Sequence, residues 1–144
     1  MAQALDLDPR HGYVYQVAGS NLASFARRFD EADRILHKGM RNLPERWTLP
    51  WTLSVNKFLL EGDYATAARY ARQAAEVGGR PHLALLASNL SLAADRDDEY
   101  QAAIGFLEET LPQTDDPNLR PQLEQRLVKV RTYLELSRLE RALA

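Results

Sequence analysis

Apolar side chains recur at intervals of three and four residues along most of this chain, and no run of β-branched residues repeats with period two. The first pattern is typical of amphipathic helices, and the second would predict strands. Helix-favouring alanine, leucine, glutamate, glutamine and arginine are abundant, and glycine and proline separate the apolar stretches. The chain is therefore predicted to be all-α, with seven helices at about 11–26, 30–42, 47–61, 64–77, 81–94, 98–111 and 119–142.

The predicted connections between these helices are only a few residues long. Successive helices must therefore lie antiparallel, because a short loop cannot carry the chain back to the other end of a helix. Asp30, Asp63 and Asp97 each precede an alanine-rich apolar stretch. At that place a carboxylate accepts hydrogen bonds from the free amides of the first helical turn, so we expect these residues to act as N-caps.

The chain resembles itself when it is shifted by 35 residues. Prolines, aromatic residues and small residues then coincide: Pro9 with Pro44, Phe29 with Tyr64, Ala32 with Ala67 and Ala102, Ala23 with Phe58 and Ala93, Asn21 with Asn56 and Ser91, and Leu36 with Ala71 and Phe106. Small residues recur where helices must approach closely, and large apolar residues recur where they fill the space between helices. A repeat of this length predicts an array of helical hairpins.

The middle repeat carries a motif of aromatic and small residues at Trp51, Phe58, Gly62, Tyr64, Ala67 and Ala74. This spacing resembles the tetratricopeptide repeat (TPR), whose pattern covers 34 residues. Ser54-Val55 stands where the family has Leu-Gly, and Ala71 stands where it has Phe. The resemblance implies a right-handed α-α superhelix of about three TPR-like hairpins followed by a C-terminal capping helix.

By this resemblance the chain divides into a remnant of a preceding repeat helix, three repeats and a cap, at 1–9, 10–44, 45–79, 80–112 and 113–144. Residues 4–9 are similar to the end of a repeat's second helix. We therefore expect the chain to be cut from a longer protein; the alternative is that another chain covers this end. The side chains expected to pack between repeats are Trp51, Phe58, Gly62, Tyr64, Ala32, Ala67 and Ala102.

In this family the first helix of each hairpin lines a concave groove that binds peptides; here these helices are 11–26, 47–61 and 81–94. Side-chain amides repeated along such a groove can hydrogen-bond the backbone of an extended peptide. One of Tyr13 and Tyr15 is expected to reach this groove, since both cannot face the core. The alternative is that the asparagines bond to backbone groups between repeats. The candidate groove residues are Asn21, Asn56, Ser91, Lys57 and Trp47.

The last predicted helix carries two apolar stripes. The first consists of Leu123, Leu127, Val130 and Leu134 and is suited to closing the third repeat. One neighbouring surface cannot bury both stripes. The second therefore either stays exposed at the tail of a cap or packs on another copy of the chain or on further sequence. Its members are Val128, Leu136, Leu139 and Leu143, the last three being the candidate residues for self-association.

Composition excludes several functions. The chain has no cysteine, which excludes disulfides, thiolate metal sites and cysteine nucleophiles. A net charge of −2 gives no reason to expect nucleic acid as a partner. No apolar run approaches the ~20 residues of a membrane helix, so we expect no membrane insertion in this segment.

No arrangement of residues in the sequence favours catalysis. His11, His37 and His82 are far apart, without the spacing of a metal site, and no nucleophile has a neighbouring base. We therefore expect a protein that is not an enzyme and that binds no metal or cofactor.

Charge is distributed unevenly towards the end of the chain. Residues 95–116 contain eight acidic residues and one basic residue, whereas residues 119–144 contain six basic and three acidic residues. Pairing between these adjacent segments explains the contrast most simply. The alternatives are that it orients self-association or attracts a basic partner.

These observations predict a non-catalytic scaffold or adaptor that binds a partner peptide or protein in its groove. One alternative is a self-assembling structural module that uses its open ends and its C-terminal helix. Another is a non-catalytic domain of a larger, enzymatic chain. The composition favours a bacterial origin, in the cytoplasm or the periplasm, and the final helix resembles bacterial TPR proteins of envelope, pilus or secretion machinery.

Overall fold

The computed structural model describes residues 12–78 and 80–144, and every regular element in these ranges is helical. The expected remnant at residues 1–9 lies outside the described residues. The elements are α1 (Gly12–Ser24), α2 (Phe29–Asn42), α3 (Thr48–Val55) with a π-helical continuation (Asn56–Glu61), α4 (Tyr64–Gly78), α5 (Leu83–Ala94), α6 (Asp97–Thr110), a 3-10 turn (Leu111–Gln113) and α7 (Leu119–Leu143).

The prediction of an all-α chain with seven helices is confirmed for the described residues, and the helix ends lie within two residues of the predicted ones. Each helix packs against its neighbours along the chain. In addition, α1 contacts α3 and α5 contacts α7. The core is therefore built from contacts between elements that are close in sequence, as expected where short loops join consecutive helices.

Three of the turns between helices contain a residue in the left-handed backbone conformation: Arg27 between α1 and α2, with φ of 56°, Gly62 and Asp95. Gly62 ends the π-helical segment with φ of 70°, and no atom lies within 4 Å of the place that a Cβ would take. The backbone conformation, and not a lack of space, therefore favours glycine here. Asp95 adopts the same conformation at the end of α5, with φ of 53°.

One of the three predicted N-caps is confirmed. The amide of Thr66 donates to Oδ1 of Asp63 over 3.2 Å, and this hydrogen bond lowers the pKa of Asp63 despite the opposing effect of burial. The predictions for Asp30 and Asp97 are wrong, because α2 and α6 begin earlier than expected and both residues lie inside them. Asp97 instead accepts a hydrogen bond from Ser137 of α7.

Small residues allow the helices to approach one another closely. A Cβ at Gly19 of α1 would lie 2.4 Å from Cγ of Leu36 in α2, and a Cβ at Gly39 would lie 2.8 Å from the ring of Tyr15. The buried face of α4 consists entirely of alanines: Ala67, Ala68, Ala71, Ala74 and Ala75. Larger side chains would not fit at these contacts. The small residues therefore set the distances between the helices.

The expected packing residues fall into two groups. Ala32 and Ala67 are fully buried, and Trp51 and Phe58 are partly buried against core clusters. Tyr64, in contrast, is 42% exposed, Gly62 is also exposed, and Ala102 lines an open groove between α4 and α6, so the prediction that these three pack between repeats is wrong. The physical reason at Ala102 is a change of register. Helix α4 begins 35 residues after α2, but α6 begins 33 residues after α4, and Tyr100 and Ala103 are buried instead.

Helix α7 closes the array through the predicted first stripe, all four members of which are buried, together with Leu119. They pack in one cluster with Tyr100 and Leu107 of α6 and Leu83 of α5. The second stripe is exposed in the same helix. The sequence prediction that a single neighbouring surface buries one stripe only is therefore confirmed.

The alanine face of α4 yields a prediction for stability. Ala67→Leu should lower the free energy of unfolding by about 2 kcal/mol, because a larger side chain forces apart a fully packed contact. Ala93→Leu, at an exposed position of α5, is the matched control and should change stability by less than about 0.5 kcal/mol. Urea unfolding followed by circular dichroism measures both, and equal effects in the two variants would contradict the packing argument.

The N-cap of α4 should depend on pH. Asp63→Ala should cost about 1 kcal/mol at neutral pH, where the carboxylate is ionised and accepts the amide of Thr66. Since the pKa of Asp63 is lowered in the folded state, its contribution is present above the ordinary carboxyl pKa and is lost as the pH falls through the folded value. The deficit of Asp63→Ala should therefore shrink in acid, whereas Asp63→Asn should stay close to wild type at neutral pH. A deficit that is independent of pH counts against an ionised cap.

Candidate functional site

Asn56 and Ser91, two of the three polar residues that coincide under the 35-residue shift and were predicted to line the groove, are buried. Asn56 is 3% exposed and its side-chain amide donates to the backbone carbonyl of Gly19 over 3.4 Å. Ser91 is also fully buried. The structure thus agrees with the alternative interpretation for Asn56, in which its amide satisfies a backbone group of a neighbouring helix.

Ser91 belongs to a polar contact that joins α4, α5 and α6. The guanidinium of Arg72 donates to Oγ of Ser91 over 3.2 Å and to Oε2 of Glu99 over 3.1 Å. The side chains of Arg72 and Glu99 are each less than 15% exposed. A charge buried to this extent needs its partner, so this contact serves the fold and does not offer a free hydroxyl to a ligand.

Lys57 is paired within the chain. Its Nζ lies 2.6 Å from Oδ2 of Asp33 and 3.0 Å from Oε2 of Glu61. Burial lowers the pKa of Lys57, but the hydrogen bonds to the two carboxylates outweigh this effect and raise the pKa above its ordinary value. The π-helical segment is thereby attached to α2, and the ammonium group is already satisfied.

Trp47, which the sequence predicts in the groove, is partly covered by neighbouring side chains. The guanidinium of Arg80 lies 4.3 Å from the centre of its ring, and the ring of Trp51 lies 6.4 Å away. Its Cβ is so close to Gly78 that a Cβ there would lie 2.7 Å from it. Trp47 therefore packs against the end of α4 and forms with Arg80 a cation–π contact that is typical of arginine and tryptophan.

Asn21 is exposed, unlike its repeat equivalents Asn56 and Ser91. It lies on an open groove of about 360 Å³ on the outer side of α1, whose lining is almost entirely apolar. Tyr13 is 70% exposed on this surface, whereas Tyr15 is buried, so one of these two tyrosines does face away from the core. We call this surface the α1 groove; its residues are Tyr13, Val14, Val17, Ala18, Asn21, Leu22 and Ala26.

The α1 groove has a buried equivalent in α3. Under the 35-residue shift, Val14, Ala18 and Asn21 correspond to Leu49, Leu53 and Asn56. In α3 these positions pack against α1 and α2: Leu49 and Leu53 belong to a core cluster with Tyr15 and Leu36, and Asn56 bonds to Gly19. In α3 this face is covered by a helical hairpin, whereas in α1 it lines the α1 groove, where Asn21 is exposed, Val14 is partly buried and Ala18 lies buried at the floor.

Another groove, of about 510 Å³, lies between α4 and α6, and its lining is charged and open: Arg69, Arg72, Gln73, Glu76, Gln101, Ala102, Gly105, Phe106 and Glu109. The acidic and basic segments at the end of the chain meet nearby. Arg131 of α7 lies 2.6 Å from Glu108 of α6, and Arg141 pairs with Asp97. Part of the charge contrast is thus internal pairing.

Further features bear on other classes of function. Within residues 12–78 and 80–144, no three histidine or acidic side chains are grouped as metal ligands. Both ring nitrogens of His37 have partners within the chain. Nδ1 donates to the carbonyl of Asp33 over 2.7 Å, and Nε2 lies 2.9 Å from the hydroxyl of Tyr70. None of the helices in the described part of the chain combines the length and apolar character needed to cross a bilayer.

No family model, curated protein or solved structure matches the chain. The tetratricopeptide resemblance therefore rests on the residues of the middle repeat and on the hairpin periodicity. The sequence identified Asn21 and a role for Tyr13 or Tyr15, but it did not show that Asn21 on α1 is the exposed member of the predicted groove residues. The signal that was present is the apolar series Val14, Val17, Ala18 and Leu22 beside Asn21.

The pairing of Lys57 yields a prediction. Lys57→Met should lower the free energy of unfolding by about 2 kcal/mol, because Asp33 and Glu61 lose their shared cation. The effect is smaller than for a fully buried pair, since both carboxylates are about one-quarter exposed. Adding Asp33→Asn should restore part of the loss by removing one of the two uncompensated charges. Urea unfolding of the two variants measures this, and an unchanged stability of Lys57→Met would show that the ammonium group contributes nothing.

Proposed function

We propose that this protein is a non-catalytic interaction module, an adaptor or scaffold built as an array of TPR-like hairpins, that binds a helical segment of a protein partner in the α1 groove. The observation that carries the proposal is the equivalence of this groove to the buried face of α3. The face that a hairpin covers in α3 lines an open, largely apolar groove in α1.

The chemistry of the groove favours a helix over an extended peptide. Its floor is formed by valine, alanine and leucine, with one side-chain amide, and lacks a row of polar groups that would bond an extended backbone. Apolar surfaces of this kind on a folded protein mark sites of protein interaction. The exposed ring of Tyr13 at its edge supplies the type of anchor that contributes strongly to binding.

The contacts of α3 indicate what the partner helix should look like. Asn56 reaches the carbonyl of Gly19 at a residue without a side chain, where the helices approach closely. By equivalence, Asn21 should donate to a backbone carbonyl beside a small residue of the partner helix. Apolar residues three or four positions from that small residue should fill the space that Leu36 and Tyr15 fill against α3.

The cellular role of this binding is proposed from the tetratricopeptide resemblance alone. TPR-like arrays bring proteins together without chemistry of their own, and the long final helix is similar to that of bacterial TPR proteins in envelope, pilus or secretion assembly. We propose an adaptor role of this kind.

The test uses a phage-displayed library of amphipathic helices selected against the protein. Enriched sequences should carry glycine, alanine or serine flanked by apolar residues at helical spacing. Their affinity, measured by isothermal titration calorimetry, should fall at least tenfold with Leu22→Glu, which places a charge in the groove. Asn21→Ala should weaken binding by a factor of about 3 to 10, as for one hydrogen bond.

Leu59→Glu is the matched control, because Leu59 is an exposed leucine of α3 outside the α1 groove. It should leave the affinity of the selected helices unchanged. Helices that bind Leu22→Glu as well as wild type, or whose chemical-shift changes map away from α1, would overturn the proposal. Circular dichroism confirms that each variant is folded.

A further inference from the structure

Helix α7 has apolar residues on two opposite faces. At about 100° per residue, the buried stripe of Leu123, Leu127, Val130 and Leu134 and the stripe of Val128, Leu136, Leu139 and Leu143 lie about 180° apart around the helix axis. The members of the second stripe are between 49% and 87% exposed. Since α5 and α6 pack on the first face, neither of them can also cover the second.

The tail of α7 is held in this position. The hydroxyl of Ser137 donates to Oδ1 of Asp97 over 2.8 Å, and Arg141 forms an ion pair with the same carboxylate. Both contacts lie on the inner side of the helix and attach its last turns to the start of α6. The second stripe is therefore presented outwards on a fixed helix.

We infer that this face pairs two copies of the chain, with α7 of one subunit antiparallel to α7 of the other about a two-fold axis near Leu136. In this arrangement Val128 lies opposite Leu143 of the partner subunit, and Thr132 lies opposite Leu139 of the partner subunit. Each pair occurs twice, as in an isologous interface. The stripe is then covered along its full length by its own copy.

One pair of opposite charges beside the stripe fits the antiparallel arrangement. Lys129 and Glu140 lie on the same side of the stripe, and both are exposed. Antiparallel pairing brings Lys129 close to Glu140 of the partner subunit, within about 3 Å along the axis at 1.5 Å of rise per residue. In a parallel pair the two-fold axis would run along the helices, so Lys129 and Glu140 of the partner subunit would lie on opposite sides of the contact and could not meet. This complementarity, absent from the uncharged α1 groove, points to a second copy as the occupant.

Sedimentation velocity over a range of protein concentrations tests the inference on the whole chain. A reversible monomer–dimer equilibrium is expected, and Leu139→Glu should weaken it at least tenfold, because it places a charge in the centre of the apolar stripe. Leu59→Glu, an equally exposed leucine on α3, should leave the equilibrium unchanged.

Charge reversal tests the orientation. Lys129→Glu and Glu140→Lys should each weaken the dimer several-fold, and the double variant should restore it. Because the chain has no cysteine, single cysteines report proximity directly. Leu136→Cys should form a disulfide-linked dimer on mild oxidation, and a mixture of Val128→Cys and Leu143→Cys chains should cross-link more readily than Leu143→Cys alone.

Several results would overturn the inference. A monomer at all concentrations would show that no second copy covers this face. A dimer that Leu139→Glu leaves intact would place the interface elsewhere. Growth beyond the dimer that Leu22→Glu prevents would mean that α7 docks in the α1 groove of the next chain, in a head-to-tail arrangement.

Discussion

Close approach between helices through small side chains is the constraint on which the rest of this structure depends. Gly19 and Gly39 leave no room for a Cβ between α1 and α2, and the buried face of α4 consists of alanines alone. Once these distances are set, the positions of larger residues follow, because Leu36 and Tyr15 fill the space that the glycines leave. The same closeness brings Asn56 within reach of a backbone carbonyl on α1.

Polar residues inside this array serve the fold, whereas apolar surface on α1 and α7 is left uncovered by the other described helices. Asn56, Ser91 and Lys57 are engaged with groups on neighbouring helices, at burial levels where an unpaired polar group would be costly. A helix in the middle of an array has neighbours on both sides, whereas α1 and α7 each have one face that no described helix covers. We therefore propose partner binding at α1 and self-association at α7, from two independent surfaces.

Much of the fold was predictable because its determinants are local. Helix ends follow from Gly62, Asp63 and the prolines, and the stripe of α7 that closes the array follows from spacing alone. The candidate site was predicted less well. Residues that coincide under the 35-residue shift occupy equivalent positions in their helices. Asn21 is nevertheless exposed and Asn56 is buried, because burial depends on which helix lies beside each residue. Likewise, Trp47 is covered by Arg80, a contact that no periodicity indicates.

The sequence by itself determined that the described part of the chain forms seven helices, that small residues allow them to approach closely, and that the last helix carries two apolar stripes. Each of these features depends on the spacing of residues within one helix or on the length of one loop. Both can be read from residues that are close together in the sequence. Only the tertiary structure decided that Lys57 is neutralised by Asp33, that the third hairpin shifts its register to bury Tyr100, and that the open groove lies on α1. The physical reason is that burial and pairing join side chains from different helices, and their relative positions are fixed only when all the helices pack together.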